Sequence, residues 1–229
     1  DLAKELSQHD IPYYAPSLTG FGGTFNDLLF SIRINDWLKR CVESFDVLAH
    51  YAESVHVIGN SLGGILAVLL AQVRPVDKLI LLAPALHAPA DQAYHKWMLT
   101  HKIGFRLFNL FMPVLPKSKQ SSNRSQLSEK HVASTQYFEH SIMTARSLRA
   151  IYSGQQMINI AQAKFRHLYI LYGRNDTMVN IPQSLSYFQQ HHITFTPYEF
   201  PHSAHDILVE NDKADVLSTL IHIATAPQK

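Results

Sequence analysis

The sequence has one cysteine, Cys41, in 229 residues. An internal disulfide is impossible, so the small secreted domains built on disulfide frameworks are excluded. Long hydrophobic runs are absent as well: the longest, Leu62 to Ala71, falls well short of the ~18 consecutive apolar residues of a membrane-spanning helix. Charge is sparse, at 17% of residues, and nearly balanced, with 20 Lys and Arg against 18 Asp and Glu and a net charge of +2. Such a balance lacks the basic footprint that neutralising a phosphate backbone requires, so nucleic acid is not an expected partner. Nine glycines and eleven prolines are too few for a collagen-like or low-complexity chain, and no internal repeat is present.

What is there is a globular composition, 46% hydrophobic, in a length that suits one domain. The 14 histidines add positive charge as pH falls through about 6.5. Short apolar runs rich in β-branched and aromatic residues alternate with longer helical patterns, the mark of an α/β fold with a mostly parallel sheet flanked by helices. Strands are expected at Ile11 to Ala15, Val55 to Asn60, Lys78 to Ala83, His167 to Tyr172 and Ile193 to Phe200. Between the first two, Trp37, Cys41, Phe45 and Leu48 recur at spacings of three and four. Residues 33–52 therefore read as a helix with one buried face, and Cys41 as a small buried hydrophobe rather than a reactive thiol.

After Pro84 the alternation breaks. Tyr94, Trp97, Met98, Ile103, Phe105, Leu107, Phe108, Leu110 and Phe111 form a dense aromatic and aliphatic stretch ended by Pro113 and Pro116. A serine-rich polar segment, 117–130, follows, and then a helical pattern from His131 to Ile160. Residues 87–160 read as an inserted helical cap, leaving 1–86 and 161–229 as the core. The aromatic stretch is ordinary packing onto the core or, at some residues, an acyl-binding wall.

Val55 to Asn60 runs straight into a helix through Gly59-Asn60-Ser61-Leu62-Gly63, a G-x-S-x-G turn between strand and helix. Such an elbow holds the serine in a strained conformation at the strand's end, and Gly59 and Gly63 are the small residues expected to let neighbouring segments approach. Ser61 would sit at a helix N-terminus, where the N–H of Leu62 can point at a developing oxyanion. A serine alone is a poor nucleophile and needs a base and an orienting carboxylate, on later strand-end loops. Gly173-Arg174-Asn175-Asp176 turns out of the fourth expected strand and offers Asp176. Pro201-His202-Ser203-Ala204-His205-Asp206 follows the last one and offers His205 as base, with His202 as its competitor and Asp206 as an alternative carboxylate. Ile207, Leu208 and Val209 read as the opening of the next helix.

With these residues in hand, the chain resembles the α/β-hydrolase superfamily, in particular the small-capped bacterial carboxylesterases and monoacylglycerol lipases, the serine aminopeptidase S33-like hydrolases. Residues 15–22 resemble that group's post-strand loop, usually ending Gly-His-Gly, with Phe21 in place of the His. Residues 59–64, 173–176 and 202–206 match its nucleophile, acid and histidine loops in order. The resemblance implies an α/β-hydrolase fold and a Ser61-His205-Asp176 triad cleaving carboxylic esters through an acyl-enzyme. A thioesterase or aminopeptidase, or a non-catalytic binding module, are the alternatives. Such enzymes also carry an earlier strand with a His-Gly loop that supplies a second oxyanion donor, so the chain is expected to be part of a longer protein. Phe21, Trp97, Phe105, Phe108 and Met178 are the candidate substrate-contacting residues.

No cofactor or metal is expected. Gly20, Gly22 and Gly23 lack a helix-opening phosphate-loop pattern, and His191, His192, His202 and His205 fit no standard ligand spacing. The expected partner is a small-molecule ester with an apolar acyl group, and the expected location is cytoplasmic.

Overall fold

Consecutive side chains of a strand point to opposite faces, so a strand covered by helices on both sides is apolar along most of its length. The computed structural model, which describes residues 2–20, 32–87, 98–116 and 142–227, has two strands of this kind at its centre. In chain order the elements are α1 (Leu2–Gln8), α2 (Ile34–Tyr51), β1 (Val57–Asn60), α3 (Leu62–Val73), β2 (Val76–Leu82), α4 (Lys102–Phe111), β3 (Val114–Pro116), β4 (Ile142–Thr144), α5 (Ala145–Met157), β5 (Phe165–Gly173), α6 (Ile181–Gln190), β6 (Thr196–Phe200) and α7 (Lys213–Thr225). β1, β2, β5 and β6 form a four-stranded sheet in that spatial order, parallel throughout, with Asn60 opposite Leu82 and Leu82 opposite Leu171.

The alternation divides the core. Leu79, Leu81, Leu168 and Ile170 face a cluster with Trp37 and Phe45 of α2 and Ile65 to Ala71 of α3. Ile80, Leu82 and Leu171 face the other way, onto Val216, Leu220 and Ile223 of α7. Lys78 is buried beneath α7, and its ammonium donates to the carbonyls of Ile223 and Ala226, both at 2.8 Å. A cation there satisfies orphan carbonyls and meets the negative end of the helix dipole. On α2, Cys41 packs half-buried against the first cluster, and burial pushes its thiol up to about 11, an inert hydrophobe as the spacing predicted.

Three expectations change. Residues 11–15 form no strand: Tyr13 and Tyr14 lie open to solvent, Pro12 and Pro16 offer no backbone donors, and β1 is an edge of the described sheet. The helix expected from Ile207 begins instead at Lys213. The carboxylates of Glu210 and Asp212 bind backbone N–H groups of the preceding loop and hold 207–212 in turns, a local alternative to helix. Within 87–160, β3 and β4 make a short antiparallel pair, and the helix expected from His131 starts, among the described residues, at Ala145. A reciprocal capping box between Thr144 and Ser147 fixes that start. α5 serves two clusters: Ala145 and Tyr152 pack with Leu99 and Phe105, while Ala150 joins the core beneath the sheet. Phe21, Tyr94, Trp97 and the polar segment 117–130 lie outside the described residues.

Leu81 is wholly buried in β2, whereas Leu110 on α4 is 72% exposed. Leu81→Ala is expected to cost about 2–5 kcal/mol and Leu110→Ala less than about 0.5 kcal/mol, measured as free energies of urea unfolding.

Candidate active site

β1 reaches its last residue hydrogen-bonded to β2, and the chain must then reverse into α3 within one residue. Ser61 makes that reversal at φ 51° and ψ −112°, a region that residues with a side chain rarely enter. Its N–H donates to the Leu82 carbonyl at 2.8 Å, and its own carbonyl accepts the N–H groups of Gly64 and Ala85 at 2.9 and 3.0 Å. The hydroxyl does not cap α3. It meets the imidazole instead: His205 Nε2 lies 2.9 Å from Ser61 Oγ, and His205 Nδ1 lies 2.8 Å from Asp176 Oδ2. The second Asp176 oxygen accepts the backbone N–H groups of Met178 and Val179 at 2.8 and 3.2 Å. With both oxygens engaged, the carboxylate is fixed in orientation as well as position.

The acid and histidine loops are locked together. Arg174 N–H donates to the Phe200 carbonyl at 3.0 Å, Asn175 N–H to Ser203 at 3.1 Å, and the Asn175 side chain to Pro201 at 3.1 Å. A Cβ at Gly173 would lie 2.6 Å from the Ser203 carbonyl carbon, so only glycine lets the two loops touch. The Asp176 and His205 side chains are 1% and 9% exposed. Burial by itself pushes the imidazolium down. The hydrogen bond and charge of Asp176, with Asp206 and Glu210 beyond it, outweigh burial and hold His205 above the ordinary histidine value of 6.5.

A family model described as serine aminopeptidase, S33, matches residues 1–212. The chain belongs to the serine aminopeptidase S33 family of hydrolases. Its α/β-hydrolase fold is similar to the structure reported with the metagenome-derived lipolytic enzymes LipS and LipT, at 18% identity over 97% of this chain and 85% of that one, with a TM-score of 0.74. It is also similar to the monoacylglycerol lipase of Paleococcus ferrophilus, at 15% identity over 84% of this chain and 75% of that one, with a TM-score of 0.66. A soluble variant of the monoglyceride lipase of Saccharomyces cerevisiae is similar at 14% identity over 81% and 67%, with a TM-score of 0.58. No curated protein sequence matches.

In this S33-family chain the expected residues divide into those brought together and those kept apart. Ser61, His205 and Asp176 form one hydrogen-bonded series, whereas the backbone N–H of His202 is bound by Asp212 at 2.8 Å and its side chain is exposed. Leu62 is the first residue of α3, so its N–H has no partner within the helix. Met178 is half-buried beside Asp176 through its backbone. Phe105 is buried with Leu99 and Tyr152, and the Arg149 guanidinium lies 4.1 Å from its ring centre; Phe108 packs at the margin of the same cluster.

The glycine reading needs one change. A Cβ at Gly59 would lie 2.7 Å from the Gly63 carbonyl carbon and 2.8 Å from Ala67 Cβ, as an elbow demands, but a Cβ at Gly63 would meet nothing within 4 Å among the described residues. The second constrained position is Gly64, where a Cβ would lie 2.7 Å from Pro84 Cβ. Pro84 follows Ala83, itself at φ 40°, and no sequence pattern marks that segment as part of the site. Gly59→Ala and Gly64→Ala are expected to lower the midpoint of urea unfolding. Gly63→Ala is expected to leave it unchanged or raise it, by up to about 1 kcal/mol in unfolding free energy, because alanine favours a helix interior.

Proposed function

We propose that this S33-family protein is a serine hydrolase that cleaves carboxylic esters. The observation that supports this reading is the unbroken series Ser61 Oγ, His205 Nε2, His205 Nδ1 and Asp176 Oδ2, with a strained serine at one end and a twice-bonded buried carboxylate at the other. His205 Nε2 takes the Ser61 proton as Oγ bonds to the ester carbonyl carbon, and the carbonyl oxygen becomes an oxyanion. The Leu62 N–H, at the positive end of α3, donates to that oxyanion. Collapse expels the alcohol, which leaves with the proton from Nε2, and an acyl-Ser61 ester remains. Water gives a proton to Nε2 as its oxygen bonds to the acyl carbon, and collapse then breaks the acyl–Oγ bond, Nε2 returning the proton to Ser61 Oγ as the acid leaves. Throughout, Asp176 keeps the imidazole in the tautomer with Nδ1–H and stabilises its cation.

An ester substrate is favoured over an amide by the lipolytic enzymes among the similar structures, since a triad does not itself fix the leaving group. Residues 87–160 act as the cap, and its apolar residues, together with Met178, favour an uncharged acyl group. Phe108 is the cap residue at the cluster margin that an acyl chain reaches, while Phe105 serves the cap's own packing; Phe21 and Trp97 are proposed contacts outside the described residues.

A fluorophosphonate probe is expected to label Ser61, located by peptide mass, and Ser61→Ala and His205→Ala to abolish labelling. Asp176→Asn is expected to lower kcat on p-nitrophenyl butyrate by about 10⁴-fold. Hydrolysis of a monoacylglycerol in preference to an aminoacyl amide supports the ester assignment, and the reverse order replaces it with an aminopeptidase.

The base works only when neutral, and His205 is held above 6.5. The ascending limb of kcat/KM is therefore expected to have its midpoint above pH 6.5, read from a pH profile of ester hydrolysis. Stability follows the opposite sign. A raised folded value makes this group's contribution fully present below the unfolded value and lost as pH rises through the folded one.

A further inference from the structure

The turn after His205 carries a second buried carboxylate that the mechanism above leaves idle. Glu210 is 3% exposed. Its Oε2 accepts the backbone N–H of Ala204, the residue immediately before His205, and its Oε1 is buried without a hydrogen-bond partner among the described residues. Leaving a charged oxygen dry and unpartnered is costly, so a loop staple alone is better made by an amide or hydroxyl. Such a staple already exists. Asp212 Oδ2 accepts the His202 N–H at 2.8 Å, Ser203 Oγ accepts the Asp212 N–H at 3.2 Å, and the Asn211 side chain donates to the His202 carbonyl at 3.1 Å.

The charged groups that act on the imidazole are Asp176, from the loop after β5, and Asp206 and Glu210, from its own loop and turn. Asp176 is bonded to it directly, Asp206 is half-exposed, and Glu210 is buried. A charge acting through protein rather than water is screened far less, and the Glu210 charge acts on the ring in the same direction as those of Asp176 and Asp206, as the smallest of the three.

We propose that Glu210 is a positioning residue for His205: it fixes the backbone at Ala204, and so the reach of the imidazole toward Ser61, and it supplies a buried negative charge that favours the imidazolium formed as Ser61 gives up its proton. The proton moves from Ser61 Oγ to His205 Nε2, and neither Asp176 nor Glu210 receives it. This inference rests on the Ser61-His205-Asp176 reading above. The raised His205 value agrees with it.

The test uses the full chain with two substitutions. Glu210→Gln keeps the size and an acceptor for the Ala204 N–H but removes the charge, and Glu210→Ala removes both. Each is followed by kcat and KM on p-nitrophenyl butyrate and by NMR titration of the labelled His205 ring, assigned with His205→Ala. Glu210→Gln is expected to unfold at the wild-type urea midpoint, keep KM within about twofold, lose about tenfold in kcat and lower the His205 titration midpoint by about one pH unit. Glu210→Ala is expected to lose more kcat; where it fails to fold, Glu210→Gln decides. A wild-type titration midpoint in Glu210→Gln, or a change confined to KM, overturns the proposal. Wild-type turnover in Ser61→Ala overturns the mechanism instead, and the His205 titration, which needs no turnover, still decides whether the Glu210 charge acts on the ring.

Discussion

The backbone of Ser61 is the constraint on which the candidate site depends. A non-glycine residue at φ 51° costs on the order of 1–3 kcal/mol, and it persists only where its surroundings over-determine it. They do so here from three directions. β1 is registered against β2, so the Ser61 N–H falls on the Leu82 carbonyl; the segment after β2 returns Ala85 to the Ser61 carbonyl; and Gly59 and Gly64 let α3 and Pro84 close on the turn without side chains between them. α3 is buried from Gly64 to Ala71, so the helix that carries the strain is anchored along most of its length by the core rather than by its cap. The hydroxyl is thereby turned from the helix, which it would otherwise cap, toward His205.

The other half of the site is a matter of charge in a dry place. Asp176, His205 and Glu210 all lie out of water, and burial by itself would favour the neutral imidazole. The hydrogen bond and charge of Asp176, with the charges of Asp206 and Glu210, reverse that preference. The geometry that permits this is the contact between two strand-end loops, which requires Gly173 to lack a side chain and requires residues 207–212 to stay in turns so that Glu210 and Asp212 fold back on the loop before them. A helix starting at Ile207 would carry those carboxylates away from the backbone groups they bind.

The candidate site residues were legible in the sequence because they are residue types in a fixed chain order. A strand of Val55 to Ile58 ending in Gly59-Asn60-Ser61-Leu62-Gly63 could be read as an elbow, and Asp176 and His205 as strand-end residues, from periodicity and turn chemistry alone. The buried strands 78–83 and 167–172 were legible for the same reason, since a strand covered on both faces is apolar along most of its length, here 79–83 and 168–172. Residues 11–15 looked equally apolar and form no strand, because strand formation is a property of a pair and composition names only one member. Sequence likewise marked Gly63 because it belongs to the motif, whereas the approach that forbids a side chain is at Gly64, a fact set by Pro84 from another part of the chain.

By itself, then, the sequence determined the parallel α/β arrangement, the candidate nucleophile, acid and base, and the inertness of Cys41, all of which follow from local spacing and side-chain chemistry. Tertiary structure brought His205 rather than His202, and Asp176 rather than Asp206, into the hydrogen-bonded series with Ser61. It also brought Glu210 beneath the histidine loop and buried Phe105 in a cluster with Leu99, Ala145 and Tyr152. These choices turn on which side chains converge from separated segments and which are shut away from water, and neither convergence nor burial is written in the neighbours of a residue along the chain.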